Sequence, residues 1–256
     1  MFFYIYSPMQ LFVTDYQKQL TTVTISNPDL LSQVRKVLRA NIGDSIWIQS
    51  PENEHTKTRY EVRIDRWDNK QVEWTIVSEQ TQAWTHEKKS MIIAMPNKRD
   101  KIELIVQKLT ECSLDQIIFW PSARSVLKEW NPKKEERLQK IIKEAVEQSR
   151  GWTVPKLIFT TNPKTLVGDS PLVIFDKECH PEWTEGYKWS LDSSLRSEWQ
   201  KYVYGLIWPE GGLTPRDYQT FEWTNSSIYG LGETVLRTET AAIIGGRLLK
   251  NDSTYW

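Results

Sequence analysis

The period of the hydrophobic positions changes near residue 90 and divides the chain into two parts. Before this point, short apolar segments such as Val23–Ile25 and Ser45–Ile48 are separated by turn residues. Arg59–Trp67 and Gln71–Val77 alternate in period two, which is typical of a β-hairpin. Between the first strands, residues 29–39 carry leucine and valine at helical spacing. The first part is therefore predicted to be a small β-barrel with one short helix.

Beyond residue 90, apolar strands alternate with amphipathic helices. Met91–Met95 is a continuous apolar segment of the kind that a parallel sheet buries on both faces. Helices are predicted from Lys98 to Cys112 and from about Pro132 to Ser149. The alternation predicts an α/β domain with a mainly parallel sheet, and polar residues 80–90 mark the junction. The other predicted strands are Ile117–Trp120, Leu157–Phe159, Leu172–Phe175, Tyr202–Ile207 and Ser227–Tyr229.

Two segments near the C-terminus each join a strand end to glycine residues and a helix start. The first is Leu206–Leu213, after which Thr214 can cap a helix that has an acid, Asp217, at its third position. The second is Leu231–Ala242. Glycine turns let a ligand approach backbone N–H groups, and ligands of open α/β sheets bind at carboxyl ends of strands. Both turns are predicted to line one crevice, although ordinary strand-to-helix turns would have the same pattern.

Composition excludes several classes of protein. The chain has 256 residues, no net formal charge and 39% hydrophobic residues, which suits one or two compact domains and argues against a protein that coats nucleic acid. Its two cysteines are far apart, so neither a disulfide framework nor a zinc site is predicted, and a reducing cytoplasm is expected. The apolar N-terminal segment lacks a basic start and is broken by proline, so it is predicted to be a strand.

Metal and nucleotide chemistry are also disfavoured. His55, His86 and His180 lack the spacing of metal ligands, so no metal is expected. The chain contains neither a P-loop nor a G-x-G-x-x-G motif, which argues against nucleotide hydrolysis and NAD chemistry.

The two C-terminal motifs resemble those of a known family. Pro-Glu-Gly-Gly at 209–212 and Leu-Gly-x-x-x-Leu-Arg-Thr-Glu-Thr-Ala at 231–241 are similar to the signature motifs of SPOUT methyltransferases. More narrowly, they resemble the bacterial 16S rRNA uridine-N3 methyltransferase family. The resemblance covers most of residues 91–249 and is supported by Lys98–Glu111, Ala123–Ser125, Glu147–Arg150 and, more weakly, Lys36–Arg39.

The resemblance implies a fold and an activity. Residues 1–85 would form a PUA-like RNA-binding barrel, and residues 90–256 a SPOUT α/β domain with a deep C-terminal trefoil knot. The chain would be a homodimer whose interface forms the cofactor crevice. It would use S-adenosylmethionine to make N3-methyluridine in 16S rRNA of the small ribosomal subunit, in the cytoplasm.

The resemblance also implies which residues bind. RNA contacts would come from basic side chains at Arg35, Lys36, Arg39, Arg124 and Arg150, although the first three also suit a solvated helix end. S-adenosylmethionine would be held by the two turns and neighbouring strand ends, at Phe175, Ile207, Trp208, Pro209, Glu210, Gly211, Gly212, Leu231, Gly232, Val235, Leu236 and Arg237.

Methylation of uridine N3 requires loss of its proton. A cation such as Arg237, Arg124 or Arg150 would stabilise the developing uridinate, and Glu210 or Glu239 would accept the proton. Glu239 lies in the first turn of a predicted helix, where an acid is also favourable for structural reasons. The candidate catalytic residues are Arg237, Glu210 and Arg124.

Trp208 departs from the family pattern, which has glycine immediately before Pro-Glu-Gly-Gly. Its indole would either obstruct the crevice or point away and leave the backbone accessible. Two alternative functions stay open: a SPOUT methyltransferase that acts on another RNA, and a catalytically silent RNA-binding or ribosome-assembly relative, which Trp208 and the segment Phe2-Phe3 motivate.

Overall fold

The computed structural model describes residues 10–51, 57–67, 72–83, 87–127, 131, 134–176, 202–209, 211–212, 214, 217 and 226–251. The strand predicted at the N-terminus and the candidate residue Glu210 lie outside this part of the chain. Two compact units make up the protein: residues 1–84 with 146–152, and residues 85–145 with 153–256.

The first unit contains a six-stranded sheet within the described residues. Its first and fourth strands pair in parallel and its other neighbouring strands are antiparallel. Alternate strand residues form a core that includes Phe12, Ile48 and Trp74, none of which is exposed. The spatial order is β1-β4-β5-β6-β3-β2, with β1 Leu11–Val13, β2 Gln17–Lys18, β3 Thr22–Ile25, β4 Ser45–Gln49, β5 Lys57–Trp67 and β6 Val72–Gln82.

The hairpin predicted over residues 59–77 is present as β5 and β6, but β6 continues to Gln82. Its additional residues are polar and exposed, and they are strand because their backbone pairs with the beginning of β5, as Lys57 does with Gln82. Hydrophobic periodicity carries no signal for such pairs. The boundary between the two units falls between residues 84 and 85, inside the segment 80–90 that was predicted to mark the junction, and residues 80–82 of that segment are strand.

The single helix predicted over residues 29–39 is divided. Helix α1 spans Pro28–Ser32 and is capped by Asn27. The side-chain oxygen of Asn27 accepts hydrogen bonds from the backbone N–H groups of Asp29 and Leu30. A π-helical segment, Gln33–Val37, follows and turns Val37 outward, where it is 71% exposed. Arg39 then takes a positive φ of 52° and ends the helical structure.

The second unit contains a six-stranded parallel sheet within the described residues, in the order β12-β10-β11-β7-β8-β9. This confirms the predicted α/β domain with a parallel sheet. Strand β7 begins at Lys88, inside the predicted junction, because Lys88 and Lys89 pair with Tyr202 and Val203. The strands are β7 Lys88–Ala94, β8 Gln116–Trp120, β9 Lys156–Phe159, β10 Leu172–Asp176, β11 Tyr202–Ile207 and β12 Ser226–Gly230.

Four further helices are described beyond the first sheet. They are α2 Arg99–Glu111, α3 Glu135–Ser149, the short α4 Lys164–Val167 and α5 Thr238–Asn251. Helix α5 contacts α2, β7 and β11. Its close approach depends on Gly245, because a Cβ atom there would lie 2.9 Å from Cδ2 of Phe175. No described helix has the length and apolar character needed to cross a membrane.

Candidate functional site

The carboxyl ends of β10 and β11 lie side by side. Phe175 and Ile207 are register partners near these ends, and Leu231, the first residue after β12, donates its backbone N–H to the carbonyl oxygen of Asp176 at 2.7 Å. The parallel sheet therefore brings the two predicted turns to one edge, as the sequence pattern indicated.

A cleft of about 190 Å³ opens at this edge. One wall comes from the ends of β10 and β11, and the other from residues 231–241, which lead into α5. Its lining is mostly apolar, with one carboxylate and two hydroxyl groups. The lining residues are Phe175, Asp176, Ile207, Trp208, Pro209, Gly212, Leu231, Thr234, Val235, Leu236, Thr238 and Ala241.

Eight of the predicted cofactor residues border this cleft, and three other predicted residues that the structure describes do not. Gly211 lines a neighbouring cleft, and Gly232 and Arg237 are exposed residues that line neither. Glu210 lies outside the described residues. Gly232 has a φ of +115° and Gly212 a φ of +71°, so each turn contains a backbone conformation that side chains other than glycine rarely adopt.

Sequence reasoning missed four lining residues: Asp176, Thr234, Thr238 and Ala241. Asp176 is the acid that ends β10, directly after the predicted Phe175. A polar residue at the end of a buried strand was the available signal. The other three lie inside the second motif: Thr234 precedes α5, and Thr238 and Ala241 are three positions apart on α5 and therefore lie on one face of it.

Trp208 continues the alternation of β11 beyond its last residue. Tyr204 and Leu206 belong to a core cluster on one face of the sheet, and Trp208 packs against that cluster. Gly205 lies on the opposite face, where an added Cβ would meet Met91 and Phe175. The indole is thus directed into the core cluster, although the residue also borders the cleft.

The loop after β8 carries Arg124 and is held by buried hydrogen bonds. Ser125 Oγ donates to the carbonyl oxygen of Met95 at 3.0 Å and lies 2.9 Å from Ser122 Oγ. Asp217, which is 3% exposed, accepts from the Ala123 backbone N–H at 2.9 Å. These bonds join the loop to the end of β7 and to the segment after β11.

Asp217 also completes the predicted helix cap. Its second carboxylate oxygen accepts from both the N–H and the hydroxyl of Thr214 at 2.8 Å. The guanidinium of Arg124 donates to the carbonyl oxygen of Gly211, so the arginine contacts the first glycine turn directly.

A second cleft, of about 110 Å³, lies beside the first. Arg124 and Asn97 are the long polar side chains in its lining, and Pro209 and Thr238 line both clefts. The remaining lining residues are Ala94, Met95, Pro96, Ser125, Val126 and Gly211.

Glu239 forms an ion pair with Lys101 rather than with Arg237. Lys101 Nζ lies 3.3 Å from Glu239 Oε2, and both side chains are largely buried. The pair joins the first turns of α2 and α5. This contact is what a structural role of Glu239 would require, and its role in proton transfer stays a prediction.

The remaining basic candidates belong to the first unit. Arg35, Lys36 and Arg39 are exposed in the π-helical segment and just after it. Arg150 has a φ of +54°, and its carbonyl oxygen accepts from Arg59 Nη2 at 3.0 Å. Arg59 is buried and its guanidinium lies over Trp152, 3.8 Å from the ring centroid; burial lowers the pKa of Arg59 to about 10, and Arg150 acts in the same direction.

Among the residues that the structure describes, no group of three or more His, Cys, Asp or Glu side chains could hold a metal ion. The polar side chains that line the two clefts carry arginine, amide, hydroxyl and carboxylate groups.

Comparison with known proteins assigns residues 85–249 to the family described as RNA methyltransferase domain. The chain is 30% identical to ribosomal RNA small subunit methyltransferase E of Bacillus subtilis over 216 residues, and this aligned region covers 81% of each chain. The same enzyme of Rickettsia conorii is 32% identical over 154 residues, or 57% of each chain. The Neisseria gonorrhoeae enzyme of that name, solved bound to S-adenosyl methionine, shares the fold with a TM-score of 0.72, at 21% identity and 95% and 97% coverage.

Proposed function

The chain belongs to the ribosomal RNA small subunit methyltransferase E family of SPOUT RNA methyltransferases, and on this premise we propose that it methylates N3 of a uridine in 16S rRNA. Its methyl donor is S-adenosylmethionine and its substrate is the small ribosomal subunit. The relatives named above are called small subunit ribosomal RNA methyltransferases, and one of them was solved bound to S-adenosyl methionine.

The observation that carries the proposal is the larger cleft. Leu231, Leu236 and Ile207 give it apolar walls suited to an adenine ring, and Asp176 adds a carboxylate that can accept from hydroxyl or amino groups. Two glycine turns allow close approach to the backbone. These residue types fit S-adenosylmethionine, and we assign its binding to the predicted residues that line the cleft.

S-adenosylmethionine supplies, when bound, a methyl group on a sulfonium, whose S–C bond breaks as the N3–C bond forms and the N3 proton leaves. The protein's task is to orient the acceptor and to stabilise charge. Arg124, at the glycine turn, is our choice for the cation that stabilises the uridinate. Arg237 remains a second candidate cation and Glu210 a candidate proton acceptor.

We further propose that the first unit binds RNA through Arg35, Lys36 and Arg39, with Arg124 and Arg150 as further RNA contacts. The exposure of the first three side chains is compatible with phosphate contacts. In this proposal the sheet of the first unit is part of a PUA-like barrel spanning residues 1–85.

The family also leads us to propose a trefoil knot within residues 90–256, a homodimer and action in the cytoplasm. Homodimerisation would be measured by analytical ultracentrifugation.

The function is tested in two steps. Calorimetric titration with S-adenosylmethionine measures binding to the cleft. Incubation with small subunits that lack the modification, followed by mapping of the methylated nucleotide, identifies the product. N3-methyluridine in 16S rRNA is the expected result. Methylation of a different RNA would favour another SPOUT activity, and donor binding or methylation that cannot be detected would favour a silent RNA-binding relative.

A further inference from the structure

The second cleft shares a wall with the first. Pro209 and Thr238 line both, so the two spaces meet at the end of β11 and the start of α5. Thr238 is only 4% exposed and therefore forms a closely packed part of this wall. A group in the second cleft would face a ligand in the first across these two residues.

The walls of the second cleft are built by hydrogen bonds among three strand ends. Ser122, Ser125 and Asp217 are all buried, and they fix the loop after β8 against Met95 and against the turn after β11. Arg124 lies in this loop, and its guanidinium is additionally placed by the Gly211 carbonyl oxygen. The position of the arginine is thus specified by the fold.

The polar lining of the second cleft is rich in donors. Arg124 can only donate, Asn97 can donate through its amide, and the described lining residues include no Asp or Glu. A planar ring with carbonyl oxygens on either side of the reacting atom suits this lining. Uracil has this arrangement, with O2 and O4 flanking N3.

We propose that the second cleft receives the target uracil, with Arg124 and Asn97 donating to its carbonyl oxygens; this inference rests on the proposed function. N3 would then be directed past Pro209 and Thr238 toward the first cleft, because attack on the methyl carbon requires direct approach of the two reacting atoms. Loss of the N3 proton spreads negative charge onto O2 and O4, so the Arg124 guanidinium stabilises the form that reacts. Asn97 acts as a specificity residue for the acceptor and not as a donor-binding residue, since it does not line the first cleft.

The test compares Asn97→Ala, Arg124→Met and Arg124→Lys with a matched control, Arg247→Met, which removes an exposed arginine from α5. Each variant is titrated with S-adenosylmethionine and assayed for methylation of unmodified small subunits. We expect unchanged donor affinity in all four, which also shows that they are folded. Asn97→Ala and Arg124→Met should lower kcat/KM on the order of 100-fold, Arg124→Lys less, and Arg247→Met not at all.

A pH series separates charge stabilisation from a merely structural role. As pH rises, a larger fraction of uridine is ionised at N3 without help from the protein. The loss of kcat/KM in Arg124→Met relative to the wild type should therefore become smaller. A deficit independent of pH, or wild-type kcat/KM in Asn97→Ala, would overturn the assignment of this cleft. If the wild-type protein itself bound no donor or methylated no uridine, the proposed function would fail and this assignment with it.

Discussion

Asp217 accepts a hydrogen bond at 2.9 Å from the backbone N–H of Ala123, a residue 94 positions earlier in the chain. The same carboxylate caps Thr214 through its other oxygen. One buried side chain therefore connects the loop that carries Arg124 to the turn after β11.

Asp217→Asn should weaken this connection. The amide can replace only one of the two acceptor oxygens, so a donor at Thr214 loses its partner and the free energy of unfolding should fall by about 1–3 kcal/mol. Because Arg124 is then less well positioned, kcat should fall on the order of 10-fold. Urea denaturation and the methylation assay measure the two effects. Asp100→Asn, at an exposed acid in α2, is the control, and equal behaviour of the two variants would contradict the positioning role.

Gly245→Ala and Gly246→Ala form a matched pair in α5. Added Cβ atoms would lie 2.9 Å from Phe175 Cδ2 and 2.5 Å from Leu109 Cδ2, respectively, so both variants should lose stability, by about 1–3 kcal/mol. Helix propensity offsets about 1 kcal/mol of this loss. Only Phe175 borders the larger cleft, so only Gly245→Ala should also weaken S-adenosylmethionine binding in calorimetry. Equal donor affinities in the two variants would show that Phe175 does not shape the binding site.

Glu239→Gln should preserve turnover while it destabilises the fold. Glu239 is paired with Lys101 at 3.3 Å and does not line either cleft. Removal of one partner of a largely buried pair leaves the other charge buried without its partner. The double variant Glu239→Gln/Lys101→Met should therefore lose less unfolding free energy than the two single variants lose together. Thermal or urea denaturation completes the double-mutant cycle. A turnover loss on the order of 100-fold in Glu239→Gln would instead indicate that Glu239 accepts the proton.

Trp208→Gly should destabilise the protein without improving donor binding. The indole packs against the core cluster of Tyr204 and Leu206, so its removal should cost about 3 kcal/mol of unfolding free energy. Trp208→Leu retains part of the apolar contact and should lose less. Calorimetry is the deciding measurement: a marked gain in S-adenosylmethionine affinity in the glycine variant would mean that the indole obstructs the cleft.

Low pH should weaken the contacts of Glu103 with Arg137 and Arg99 and so lower the stability of the protein. The pKa of Glu103 is lowered by its hydrogen bonds from Arg137 and then from Arg99. A lowered pKa in the folded state means that this contribution to stability is present above the ordinary glutamate pKa and is lost as pH falls through the lowered value. Between about pH 5 and pH 3, Glu103→Gln should therefore lose less stability than the wild type. Urea midpoints across this range measure the difference, which should shrink in high salt.

The sequence predicted the parts of the site that depend on strand ends and local motifs. Ile207 and Leu231 border the predicted crevice because parallel strands end at the same edge of a sheet. The order of the strands could not be read from periodicity. A parallel strand that is buried on both faces is apolar throughout, so its pattern does not show which strands lie next to it. The bond from Ala123 to Asp217 and the pair of Lys101 with Glu239 depend on that order, and neither was predicted.

Local geometry explains the remaining differences. The helical spacing at residues 29–39 was correct for Leu30 and Val34, which are buried, but the π-helical segment shifts the following residues by part of a turn. Periodicity assumes a constant 3.6 residues per turn and cannot anticipate such a change.

The wall shared by Pro209 and Thr238 is a point at which ligands in the two clefts can be coupled. If a ligand in one cleft shifts these residues, it changes the affinity of the other cleft, and linkage requires the reverse effect to be equal in size. A donor that strengthens RNA binding must itself be bound more tightly on the ribosomal subunit. Such coupling is independent of which substrate binds first, so the affinity for either substrate, measured in the presence of the other, reports it.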